Sequence, residues 1–135
     1  MTIREEIINN LQVGLSELDF VNKTFVWSAR SITKADLPAI DIRDSEDDIE
    51  DANQSHRHNL KVEITLILEE EDIRQKALSF GKQILQKIKE LDEELKIGEY
   101  VELLSTDMEI GQENGVFAIV NIELVVVYTT LKWEI

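Results

Sequence analysis

One stretch constrains the fold more than any other: residues 116–128, Val-Phe-Ala-Ile-Val-Asn-Ile-Glu-Leu-Val-Val-Val-Tyr. Side chains of a strand alternate between its two faces, so Val116, Ala118, Val120, Ile122, Leu124, Val126 and Tyr128 share one face, and each is apolar or aromatic. That row is a core face. The opposite row, Phe117, Ile119, Asn121, Glu123, Val125, Val127 and Thr129, is mixed, which fits a surface partly wet or partly covered by a partner. So long and apolar a strand is not expected at an unprotected sheet edge. Residues 60–68 repeat the pattern: Leu60, Val62, Ile64, Leu66 and Leu68 alternate with Lys61, Glu63, Thr65 and Ile67. Two such strands specify a half-buried antiparallel sheet that needs a layer laid on its apolar face.

Two amphipathic segments can supply that layer. Thr2 and Glu5 have the spacing of a capping box, and Ile3, Ile7, Ile8, Leu11, Leu15 and Leu18 recur at helical steps, which predicts a helix over residues 3–18. A second helix is predicted after Asp72 and Gln75, again at capping spacing. Its stripe is Ile73, Ala77, Phe80, Ile84, Ile88, Leu91 and Leu95, with Lys82, Lys87 and Lys89 on the remaining surface. Gly81, in the middle of this helix, costs about 1 kcal/mol relative to alanine, a cost that a close approach to the sheet would justify. Short strands are expected at 23–30 and 37–42, the latter beginning near the only proline, Pro38, where a missing N–H does least damage. Gly98 ends the second helical element, 100–106 reads as a further strand, and Gly111-Gln112-Glu113-Asn114-Gly115 as a reversal into the last one. The expected fold is therefore α+β, a mainly antiparallel sheet of four to five strands with two helices on one face. A chain of 135 residues can bury such a core as a single domain spanning 1–135.

Charge and composition restrict function. Twenty-eight acidic against 14 basic side chains give a formal net charge of −14, which repels phosphate backbones and anionic lipid and argues against specific nucleic-acid binding or a membrane-surface role. No apolar run approaches the roughly 18 residues of a membrane span, and the first residues lack the pattern of a secretory leader, so a soluble intracellular protein is expected. With no cysteine there is no disulfide, thiol nucleophile or thiolate metal site.

Residues 41–51, Asp-Ile-Arg-Asp-Ser-Glu-Asp-Asp-Ile-Glu-Asp, hold seven acidic side chains in eleven positions and offer no apolar face, so they read as a solvated loop. Calcium binding is considered for them, but the sharp-turn glycine and closing glutamate of a calcium loop are both missing. His56 and His58 lie two apart and share a face of any strand that begins there. Zinc would need a third ligand that nothing signals, and exposed polar residues at a strand start are the plainer reading. There is no phosphate-binding glycine loop, no Gly-x-Ser-x-Gly elbow and no His-Glu-x-x-His helix. The expectation is a protein that is not an enzyme and carries no metal or cofactor.

The order of these elements resembles a known family. An N-terminal helix is followed by short strands containing Leu37-Pro38-Ala39-Ile40, an acidic excursion and the strand His56-Arg57-His58-Asn59-Leu60-Lys61-Val62-Glu63-Ile64. A helix rich in Ala, Leu and Ile and two final strands ending in a Val-Val-Tyr-Thr segment complete the order. The sequence is similar in this to the tail terminator and minor tail (neck) proteins of long-tailed bacteriophages, and the likeness covers nearly the whole chain. The resemblance implies a structural virion protein of a phage or prophage, present in the host cytoplasm during assembly. It implies a ring, commonly a hexamer, on the head-proximal end of the tail tube. Its partners would be further copies of itself, the tail tube protein and the head–tail connector. On that reading Phe117, Ile119, Val125 and Val127 are the candidate surface between subunits. Asp44, Glu46, Asp47, Asp48, Glu50 and Asp51 form a loop at the ring's rim, with a partner-binding loop as the alternative. A different class of function, a small dimeric ligand-binding or enzymatic α+β domain, would be favoured by a cavity lined by Trp27, Tyr100 and the two histidines.

Overall fold

The computed structural model describes residues 1–29, 31–111 and 117–135. The chain runs α1 (Ile3–Ser16), β1 (Lys23–Val26), a single 3-10 turn (Lys34–Asp36), β2 (Ala39–Ala52), β3 (Ser55–Glu69), α2 (Ile73–Glu93), β4 (Tyr100–Gly111) and β5 (Phe117–Leu131). The five strands form one sheet in the order β1-β2-β3-β5-β4, with only the β1–β2 pair parallel. This is the expected α+β fold, with both helices packed on one face of a mostly antiparallel sheet.

The two patterned strands lie side by side at its centre, Leu66 opposite Val120 and Val62 opposite Leu124. Their even-numbered rows are buried from Leu60 to Leu68 and from Ala118 to Tyr128, beneath Ile7, Leu11 and Leu15 of α1 and Ala77, Ile84 and Ile88 of α2. Val116, the first residue of the expected row, and the expected reversal at 112–115 lie outside the described residues. α1 starts as its sequence predicts: Thr2 Oγ1 accepts from the Glu5 amide at 3.1 Å and a Glu5 carboxylate oxygen accepts from the Thr2 amide at 3.3 Å. That satisfies two N–H groups that would otherwise lack partners.

Several boundaries differ from the sequence-based expectation. β1 stops at Val26 because Trp27 turns into a left-handed conformation, φ 47°. β4 runs on to Gly111 rather than ending at 106. Asp72 also adopts a left-handed conformation and its side chain caps nothing, so the Asp72 and Gln75 spacing is not used as a cap. At the other end α2 stops at Glu93, the Lys96 amide returns to the Leu91 carbonyl at 3.0 Å, and Leu95 sits between them at φ 56°. This closing turn throws Leu95 out of the apolar stripe, 71% exposed, and brings Ile97 into the core instead. Gly98 follows at φ 77°, where an added Cβ would lie 2.7 Å from the Val127 carbonyl oxygen, so only glycine fits between α2 and β4. Gly81 is different. A Cβ there would meet only Val120 Cγ1, at an ordinary 3.8 Å, so the approach to the sheet does not demand glycine.

The largest departure is the acidic run. Residues 41–51 are not a loop but most of β2, which pairs with β3 along its whole length and turns back through Asn53 and Gln54. Asn53 supplies the left-handed residue, φ 59°, that a two-residue hairpin turn requires. Acidic residues are poor strand formers, but among the described residues the half of β2 beyond β1 pairs with β3 alone, and charged side chains are tolerated along such an edge.

Candidate functional site

A bulge in β2 decides what the acidic residues do. Asp44 lies opposite Val62 and Asp47 opposite Leu60, so three steps along β2 match two along β3. The extra residue reverses the alternation, and both Asp44 and Asp47 face the helix side of the sheet.

Each finds a partner there. Asp44 accepts from Arg4 Nε on α1 at 2.5 Å and from the Trp27 indole N–H at 2.8 Å. Burial pushes the Asp44 carboxyl up, but the Trp27 bond and then the Arg4 guanidinium outweigh it and hold the group below the ordinary carboxylate value. Asp47 Oδ2 lies 2.6 Å from His58 Nδ1, and His58 Nε2 lies 2.8 Å from Thr130 Oγ1. His58 is 0% and Thr130 4% exposed. The His58 ring stacks on Tyr128, with centroids 4.5 Å apart and planes within 4°. Burial, then the nearby Asp47 charge, push the Tyr128 hydroxyl up to about 12. From Thr130 the chain of contacts continues to the Glu134 carbonyl, at 3.4 Å, while the Trp133 amide reaches His56 Nδ1 and the two rings meet edge to face.

The order carboxylate, imidazole, hydroxyl is that of a nucleophilic triad. Here the hydroxyl is enclosed by the core, which closes it to a substrate, and the relay instead ties the bulge of β2 to β3, to β5 and to the C-terminal segment. The expectation of two exposed histidines at a strand start is therefore corrected. His56 and His58 do share a face, but both ring nitrogens of His58 are engaged by Asp47 and Thr130, leaving no lone pair for zinc. Among the described residues no group of three or more histidine or acidic side chains is placed to hold a metal ion. The sequence signal for this arrangement is the pair Asn53 and His58: a turn residue between two runs of matching length, and a histidine in register with the apolar row above it.

The other acidic side chains are partly neutralised as well. Glu46 pairs with Lys61 at 3.5 Å, and Asp51 with Lys132 at 3.3 Å and His56 at 3.4 Å. Asp48 and Glu50 are exposed, the latter opposite Arg57.

The odd-numbered row of β5 divides. Phe117, Ile119 and Val125 are half-buried on the sheet face away from the helices. Val127 is not available as a subunit contact, because it is 1% exposed within the single chain. Its neighbours across the sheet account for this: Arg57 on β3 donates to the Tyr100 hydroxyl on β4 at 2.8 Å, a bridge that spans β5 beside Val127. That bridge also places Tyr100 on the opposite face of the sheet from His58, and Trp27 is held by Asp44, so these aromatic and histidine side chains do not line one cavity. Exposed apolar side chains occur elsewhere, among them Leu103, Leu104 and Ile110 of β4, Leu78 of α2, and Leu131, Trp133 and Ile135 at the C-terminal end. Between β4 and α2 runs a cleft of about 320 Å³ lined by Ala77, Gly81, Leu85, Met108 and Val120.

No protein-family model matches the chain, and no characterised protein shows significant similarity to it. Among the described residues no helix is long and apolar enough to cross a membrane.

Proposed function

We propose that this chain is a structural assembly subunit, a ring-forming tail terminator or neck protein of a long-tailed phage or prophage. It would sit at the head-proximal end of the tail tube, stop tube polymerisation and join tail to head. The observation that carries the reading is β4: a strand of 12 residues with, among the described residues, a paired strand on one side only and with Leu103, Leu104 and Ile110 exposed. An isolated subunit leaves that edge as an open template for pairing, whereas an assembly covers it. The half-buried Phe117, Ile119 and Val125 extend the apolar surface onto the outer face. The kind of assembly proposed, a hexameric ring with tube and connector partners, is what the sequence resemblance implies. In such a ring the acidic strand edge, from Asp44 to Asp51, would repel passing DNA at low salt and less so as salt screens it. Mass measurement in solution, of the subunit alone and mixed with the tail tube protein, tests the reading. A closed ring, formed alone or on addition of the tube protein, is the expected result; a monomer under both conditions overturns it.

A further inference from the structure

We propose that the β4 edge and the cleft beneath it take up, as an added strand, an extended segment of another protein in which cations alternate with apolar side chains. The inference rests on the assembly reading and names the chemistry of the segment that covers the edge.

The backbone of β4 is open on one side. Among the described residues it pairs with β5 alone, and no loop or side chain takes up the outward backbone groups of 105–111. A bulge at Leu104 interrupts the strand, but 105–111 lies in continuous register with 117–123 of β5. That stretch presents the row of N–H and C=O groups to which an extended chain can add itself.

Its two faces call for different side chains. Residues directly opposite in a sheet point to the same face, so Thr106, Met108 and Ile110, opposite Ile122, Val120 and Ala118, lie on the helix side. Ile110 is 43% exposed there and Leu78 of α2 is 50% exposed, and the 320 Å³ cleft runs between their two elements. Gly81 carries a helix-propensity cost that packing does not demand, and what it leaves is space in this cleft. The outer face is acidic. Asp107 and Glu109 are exposed, Glu123 and Glu63 continue the patch across β5 and β3, and none of the four is paired with a cation among the described residues. A strand laid on this edge meets apolar groups on one side and carboxylates on the other, and its own side chains alternate between those sides. Lysine or arginine at every second position then sits against the acidic patch, while Lys82, which lines the cleft, lies on the opposite side of the sheet.

This chain does not supply such a segment. Pairing β4 with a second β4 would set Asp107 and Glu109 against acidic side chains, and nowhere in the sequence do three cations stand at successive alternate positions. The occupant is therefore a different protein.

The test uses the full chain and a pool of fluorescent seven-residue peptides, with Val, Leu or Phe at odd positions and Lys at even ones, read by anisotropy. Two further pools carry N-methyl groups on alternate amides, one pool in each phase, so that only one of them keeps the N–H groups that face β4. The expected result is binding of the unmodified pool and of one N-methylated pool, with loss of the other. Asp107→Lys combined with Glu109→Lys should weaken binding at least about tenfold and create binding of a pool with Glu in place of Lys. Asp48→Lys combined with Glu50→Lys, on the acidic edge of β2, should leave binding within about threefold, a long-range charge effect that salt screens. Failure of the whole unmodified pool to bind, loss on reversing β2 rather than β4, or equal binding of both N-methylated pools would each overturn the inference. The wild-type mass is measured beside the tail tube protein in parallel. A ring without peptide binding removes this inference alone, a monomer that binds the pool as described removes the ring reading alone, and a monomer that binds no peptide removes both.

Discussion

Among the acidic residues of β2, Asp47 is expected to be the most costly to replace by alanine. The carboxylate lies 2.6 Å from His58 Nδ1, and His58 is 0% exposed, so its removal takes the acceptor away from a buried ring nitrogen. A buried donor stripped of its partner costs about 1–3 kcal/mol, with bonds to charged groups at the upper end, so a loss of about 3 kcal/mol is expected. For a domain whose whole stability is about 5–15 kcal/mol this is a large share, and it corresponds to a fall of about 10 °C in melting temperature for a chain of this size. Asp48→Ala is the control. It removes the same formal charge from the same strand, but from an exposed side chain, and should fall within about 0.5 kcal/mol of wild type. Urea unfolding of both variants, followed by circular dichroism, gives the comparison. A cycle through His58→Phe should show coupling of about 1–3 kcal/mol between positions 47 and 58, because the phenylalanine no longer needs the carboxylate. Equal stabilities for Asp47→Ala and Asp48→Ala, or additive effects in the cycle, would refute the relay as a stabilising tie.

Three further outcomes are expected. Gly81→Ala should raise stability by about 0.5–1 kcal/mol, read as a higher urea midpoint, since the new methyl meets only Val120 Cγ1 at 3.8 Å and the helix gains in propensity. Val127→Lys should unfold the domain by placing an unpaired charge in a 1% exposed site, while Val125→Lys, on a half-buried position of the same face, should leave it folded; circular dichroism of the purified variants distinguishes them. Asp44→Asn should flatten the acid limb of the stability profile. The folded carboxyl sits below its ordinary value, so its contribution is present above the unfolded value of about 3.9 and is lost as pH falls through the folded one. Melting temperatures measured from pH 6 down to pH 2 should therefore drop less steeply in the variant, from a lower starting point.

The sequence by itself determined the central layers of this protein. The even rows of 60–68 and 118–128, the stripe through Ile84 and the capping pair Thr2 and Glu5 all became what their spacing dictates, because burial of an apolar row and satisfaction of a helix end are decided within a few residues. Tertiary structure alone decided the fate of the polar residues. Asp44 depends on Arg4, 40 positions away, and His58 on Thr130, 72 positions away. No local pattern encodes such partners, and without them the run 41–51 reads only as charge too dense to pack. The one-residue bulge that turns Asp47 rather than Glu46 toward His58 follows from how β2 is laid on β3, and so does the Arg57 and Tyr100 bridge that removes Val127 from the surface. Apolar groups need only to leave water, and their periodicity says where they go. A buried polar group needs a particular partner at hydrogen-bond distance, and which partner it finds is settled when distant strands come into register.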